Sequence, residues 1–200
     1  MGGAIGQILV LIISSLGGLF LLAVLLRFLL QAVRADFYNP VSQAIVKITS
    51  RPLAPFRKFI PGYRGFDMAS LVLALVLNTL LTFLMILAAG ANMPGVGLIV
   101  SWSFMGLLWF LLNIYFYGLI ISVIASFVAP FSGNPILLMI YQILDPIYSR
   151  IRRIIPPMGG LDLSPIFIFL AINVLEILLT NILGNQLRFP AQYAQFVIGI

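Results

Sequence analysis

Two aspartates, Asp67 and Asp162, stand 95 residues apart, and each follows a basic pair: Arg57-Lys58 precedes the first and Arg152-Arg153 the second. A carboxylate just ahead of an apolar run can cap the free amides of a helix and meet the positive end of its dipole. It can also join the neighbouring cations in a charge-assisted polar cluster. Both readings are open from the residues alone. The remaining inventory narrows the chemistry further, because the chain has no His and no Cys. That excludes a c-type haem site, a thiol redox centre and an ordinary zinc site. It also excludes Ser-His-Asp and Cys-His relays. No glycine-rich phosphate loop follows a strand, so no cofactor is expected and the chain is not expected to be an enzyme.

These aspartates must be positioned by elements of a membrane protein. Of the 200 residues, 62% are hydrophobic and only 8% charged, and the mean hydropathy is +1.16. Soluble domains carry roughly 25% charged residues. Four runs reach the ~20 apolar residues that cross a hydrocarbon core: about 8–30, 68–89, 103–128 and 163–183. The first lacks a basic leader and a small-x-small cleavage site, so it is expected to stay as a span. The third run could start at Val96, but matching it to the first places its entry near Ser103. Gly95 to Trp102 is then expected at the surface, with Trp102 in the interfacial aromatic belt.

The aspartates belong to a longer repetition. Asn39, Pro40, Arg57, Pro61, Gly65 and Asp67 recur, residue type for residue type, as Asn134, Pro135, Arg152, Pro156, Gly160 and Asp162. Such a period halves the folding problem. The first repeat covers 1–95, with its linker at 31–67. The second covers 96–184, with its linker at 129–162, and 185–200 form a tail expected to lie at the surface on the outer side. Two spans per repeat mean that each copy enters and leaves on one side, so the repeats are parallel about an axis along the membrane normal.

Charge sets the expected orientation. Nine of the eleven Lys and Arg residues lie in the two linkers, among them Arg51, Arg57, Lys58, Arg64, Arg150, Arg152 and Arg153. The positive-inside rule puts both linkers in the cytoplasm and both termini outside. Topology accounts for the basic excess, so no nucleic-acid partner is expected. The basic patch instead suits anionic head groups, at about 1 kcal/mol per cation, and a partner membrane protein.

Within each linker, Asn-Pro opens a helix. Val41, Ala44, Ile45 and Ile48 follow at i, i+3, i+4, i+7, which predicts an amphipathic helix lying in the interface. The corresponding Ile136 to Leu144 is almost wholly apolar and is expected to sit deeper or against protein. Pro61 and Pro156 end the interfacial segments. Gly65 in the first turn, and Gly159 and Gly160 in the second, permit reversal into the membrane. The expected fold is therefore all-α: four transmembrane helices in two parallel two-helix repeats, each with an amphipathic interfacial helix in its cytoplasmic linker.

Polar residues inside spans are costly and hence informative. Arg27 shares a face with Ala23 and Gln31, whose repeat mates are Gly118, Ser122 and Ser126. It can snorkel to the head groups. Asn78 and Asn173 match across the repeat and can join helices or line an ion path. Glu176 lies about 11 residues into its span, near mid-membrane at 1.5 Å per residue. There it must be protonated, paired or hydrated.

The doubled pattern of Asn-Pro, basic pair, Ile-Pro, Gly-x-Asp and apolar span resembles the YggT family, also called YlmG, over about Ile8 to Leu183. Asp36-Phe37-Tyr38-Asn39-Pro40 and Pro157-Met158-Gly159-Gly160-Leu161-Asp162 carry the resemblance most closely. Gly62-Tyr63-Arg64-Gly65 departs from it where a Pro-Met-Gly turn is expected. The resemblance implies a small membrane protein without an established biochemical activity. Its relatives are associated with osmotic or potassium tolerance, with cell division and nucleoid distribution, and in plastids with b-type cytochrome maturation. Two functions are compatible with the residues: a nonenzymatic scaffold or assembly factor, or an oligomeric small channel or transporter.

Overall fold

A computed structural model describes residues 3–130, 132–157, 162–187 and 189–200. Six helices follow in order: α1 Ala4–Ala32, α2 Pro40–Phe59, α3 Met68–Ala89, α4 Val96–Val128, α5 Pro135–Ile154 and α6 Ser164–Asn181. A π-helical turn at Ile182–Gln186 and a 3-10 helix at Ala191–Phe196 close the chain. α1, α3, α4 and α6, the last extended through Gln186, are long and apolar enough to span a membrane. α2 and α5 are the linker helices. Packing follows the repeat: α1 meets α2 and α3 as α4 meets α5 and α6, and α3 against α4 and α2 against α5 join the halves.

The linker helices start as their sequences dictate. Asn39 Oδ1 accepts the Val41 amide at 2.8 Å and Asn134 Oδ1 accepts the Ile136 amide at 2.9 Å, with Pro40 and Pro135 in the first turns. Asn39 also ties the halves together, donating Nδ2–H to the Pro135 carbonyl at 2.7 Å. Each helix continues past its inner prolines, Pro52 and Pro55 or Pro146. In α2 the carbonyls that lose a donor belong to Ile48 and Arg51, both on the exposed side, where solvent or head groups can replace the bond. The helices end before Pro61 and Pro156, as expected.

The buried face of α2 is Ser42, Ile45, Thr49 and Leu53; of the predicted stripe Ile45 is buried, Val41 half-buried, and Ala44 and Ile48 exposed. Thr49 turns inward to meet an interior cation, as shown below. Two expectations change. α4 begins at Val96, and Trp102 is 2% exposed rather than set in an interfacial belt, with ring centroids 5.0 Å from Phe189 and 5.3 Å from Tyr193. The tail supplies those partners. It is not a surface segment: Tyr193, Phe196 and Val197 are buried in one cluster with Met85, Ile86 and Met105.

Gly106 is what lets the tail in. A Cβ there would stand 2.6 Å from Val197 Cγ1 and 2.8 Å from the Ile198 carbonyl oxygen. Backbone approach of that kind is the ordinary use of glycine in helix packing. Asn113 Nδ2 reaches the Gly199 carbonyl at 3.4 Å, fixing the far end of the segment.

Candidate functional site: two unequal polar clusters

Each repeat builds a cluster where its linker helix meets its second span. In the first, Asp67 precedes α3 and accepts the Ser70 amide at 3.3 Å on Oδ1 and the Ser70 hydroxyl at 2.9 Å on Oδ2. The same Oδ2 accepts from Arg57 Nη2 at 2.5 Å. Asp67 thus caps its helix and pairs with a cation at once, so the two readings of the sequence combine. Arg57 lies ten residues upstream in the last turn of α2, and the turn between them brings it back. There Arg64 and Gly65 adopt φ of 51° and 90°, and Tyr63 and Phe66 exchange amide-to-carbonyl bonds at 3.1 and 2.9 Å. Two positive φ values in succession define a turn that favours glycine, which gives Gly65 its role. The Arg64 guanidinium lies 5.3 Å from the Tyr63 ring centroid.

Arg27 completes this cluster from α1. It does not snorkel, for it is only 5% exposed. Its Nη1 donates to the Val46 carbonyl at 3.0 Å, to Thr49 Oγ1 at 2.8 Å and to Ser50 Oγ at 3.0 Å, while Nε lies 3.8 Å from Asp67 Oδ2. Two cations therefore share one buried carboxylate. Burial by itself would raise the Asp67 pKa, but the hydrogen bonds from Arg57 and Ser70 and the Arg57 charge outweigh it and hold the carboxyl below its ordinary value. Thr49 and Ser50 were not singled out in the sequence. Their signal was Thr49 in line with Ile45 and Leu53 on one helix face, with a second hydroxyl beside it.

The second cluster has the same plan and a different content. Arg152 reaches Asp162 Oδ2 through Nε at 3.0 Å and Nη2 at 2.7 Å. Asp162 Oδ1 accepts the Ser164 amide at 2.9 Å. Burial again pushes the Asp162 pKa up, and the bonds from Ser164 and Arg152 prevail to lower it. The pair is open to solvent, with side chains 48% and 29% exposed, against 5% for Asp67. Among the described residues no second cation pairs with Asp162: Ser122 stands in the place of Arg27, and its hydroxyl lies 3.4 Å from Tyr148 Oη. Arg152 also stacks over the Tyr148 ring at 4.9 Å. Gly159 and Gly160 lie outside the described residues.

The other candidates separate. Arg51, Lys58, Arg150 and Arg153 are exposed and make no ion pair among the described residues. Asn78 is fully buried and donates to the Ser103 carbonyl of α4 at 2.9 Å, joining two helices, while the Ser103 hydroxyl lies 3.4 Å from Thr82 Oγ1. Asn173 faces outward and donates to the Phe169 carbonyl of its own helix at 2.7 Å. Glu176 is half-buried on the same helix, and Arg27 is committed elsewhere. The three intramembrane polar groups do not converge on one path within the described chain.

The CCB3/YggT family profile matches the chain twice, over residues 6–88 and 101–183, which reproduces the 95-residue period at both ends. An uncharacterized protein of Pseudomonas aeruginosa is 44% identical over 187 residues, covering 93% of this chain and 95% of that one. An uncharacterized protein of Vibrio alginolyticus is 38% identical over 86% of this chain and 94% of its own length. The uncharacterized protein YggT of Escherichia coli K12 is 33% identical over 90% of this chain and 94% of its own. No solved structure matches. With both repeats matched and relatives aligned over nearly their whole lengths, the chain belongs to the CCB3/YggT family.

Proposed function

We propose that this chain is a nonenzymatic scaffold or assembly factor of the bacterial inner membrane, acting through its basic cytoplasmic face on anionic lipid and a partner membrane-protein complex. The observation that carries the proposal is the division of the cations. Arg27 is locked inside, Arg57 and Arg152 are held by aspartates, and Arg51, Lys58, Arg150 and Arg153 stand exposed on α2 and α5, which pack side by side. Rigidly mounted, unpaired cations suit a docking surface. In this reading α2 and α5 are the interfacial helices, Ile48 and Phe59 dip into the bilayer, and both termini lie outside. Through its partner the scaffold serves osmotic or ion homeostasis, cell division or cytochrome maturation.

The test is cross-linking in native membranes with neighbours identified by mass spectrometry. Arg51, Lys58, Arg150 and Arg153 changed together to Gln leave both ion pairs intact, and recovery of the specific neighbour should fall several-fold. Unchanged recovery would sink the scaffold reading. A second reading, an oligomeric channel, is favoured by one observation: Asn173 and Thr180 are exposed on α6 beside Glu176, a polar stripe that a second copy would cover. Ion flux in liposomes that is undiminished by Glu176→Gln removes that residue from any such path.

A further inference from the structure

We infer that the open cleft between α4, α5 and α6 binds a ligand through a guanidinium or primary ammonium group. In the first repeat the Arg27 guanidinium ends among Val46, Thr49 and Ser50, beside Asp67. Moving 95 residues along carries these five positions to Tyr141, Leu144, Asp145, Asp162 and, for Arg27 itself, Ser122. All five line one cleft of about 620 Å³, together with Tyr148 and Arg152. The second cleft is the guanidinium pocket of the first repeat, with its arginine cut back to a serine. Its volume is that of a small-molecule site.

Charge says what fits. The first pocket holds Arg27, Arg57 and Asp67, one net positive charge; the second holds Arg152, Asp145 and Asp162, one net negative charge. Where Ser50 accepted from Arg27, the second repeat offers the exposed Asp145 carboxylate. An anion is disfavoured, because Arg152 already gives Nε and Nη2 to Asp162. A planar or ammonium cation gains the Asp145 carboxylate, the Ser122 oxygen and the Tyr141 side chain, while Arg152 already covers the Tyr148 ring. Two sources share this chemistry: a soluble amine or guanidine, and the ethanolamine head group of a lipid whose chains run along Val123 and Phe127.

The probes are agmatine, titrated calorimetrically into the protein in phosphatidylglycerol nanodiscs, and phosphatidylethanolamine, followed as retained adducts by native mass spectrometry. Wild type should bind at least one of them. Asp145→Asn should weaken binding about tenfold or more, the loss of one charge-assisted hydrogen bond. Ser122→Arg should abolish it, because its own guanidinium then fills the cleft as Arg27 does. Agmatine binding without lipid retention identifies a soluble ligand, and retention of phosphatidylethanolamine identifies the lipid. Binding that both variants leave unchanged, or no binding of either probe by wild type, overturns the inference. If Ser122→Arg fails to fold, Asp145→Asn decides alone.

Discussion

Replacing each aspartate with asparagine should separate the two clusters sharply. Asparagine caps a helix about as well as aspartate, so the substitution removes charge and leaves the cap. At Asp67 the loss strands Arg27, which is 5% exposed and whose nearest carboxylate is 3.8 Å away. Removing one partner of a buried pair costs about 3–5 kcal/mol, because the other charge stays desolvated. At Asp162 the stranded cation is Arg152, 48% exposed, and an exposed pair contributes about 0–1 kcal/mol. Asp67→Asn should therefore destabilise by roughly 2–5 kcal/mol more than Asp162→Asn. Reversible unfolding in mixed micelles, followed by helical ellipticity, measures both. A second substitution fixes the cause: adding Arg27→Met to Asp67→Asn removes the orphaned cation and should recover part of the loss. Equal effects at the two aspartates, or no recovery from the Met variant, would refute the assignment of the cost to a buried charge.

Three further outcomes follow from the same geometry. Asp67 and Asp162 have folded pKa values below those of the unfolded chain, so their contribution is complete above the unfolded value near 3.9 and is lost as pH falls through the folded one; an acid titration of unfolding should show that loss shrink in Asp67→Asn. Gly106→Ala meets Val197 and the Ile198 carbonyl and should cost about 1–3 kcal/mol by overpacking, whereas Gly97→Ala meets nothing within 4 Å and should be neutral or stabilising by up to about 1 kcal/mol; thermal scans of the two variants compare them directly. Asn78→Leu should lose about 0.6–1.7 kcal/mol with its bond to Ser103, while Asn173→Leu, which loses only a bond within its own helix, should stay close to wild type in the same unfolding assay.

The period in the sequence carried most of the architecture. Four spans, two linker helices, their Asn-Pro starts and the proline stops follow from local chemistry, and local chemistry repeats faithfully. What the sequence withheld depends on contacts between distant segments. Arg27 and Asp67 are 40 positions apart, one on α1 and one ahead of α3, and no spacing rule predicts that Thr49 turns inward, with Ser50 reaching from the exposed side, to meet that arginine. The stripe Val41, Ala44, Ile45 and Ile48 predicts a helix in the interface but does not say which side packs on the protein, and the packed side holds Ser42, Ile45, Thr49 and Leu53. A helix beside a bilayer can leave Ile48 outside and bury hydroxyls where a charge must be solvated. Trp102 and the tail failed together: each is apolar enough for lipid, and only the gap at Gly106 shows that they pack on one another.

The divergence of the repeats also bears on why the first aspartate is buried and the second is not. Arg27 adds a cation to a site that already holds Arg57, and two cations around one carboxylate are stable only if other acceptors share the load. α2 supplies them at Val46, Thr49 and Ser50, so the first cluster closes on itself and fastens α1 and α2 to the start of α3. At the corresponding places α5 carries Tyr141, Leu144 and Asp145, which include a carboxylate and no hydroxyl on the chain positions of Thr49 and Ser50. An arginine at Ser122 would find one strong acceptor there, and without it the acceptor faces solvent in a cleft. One ancestral plan thus yields a sealed joint in the first half and a reachable acidic pocket in the second.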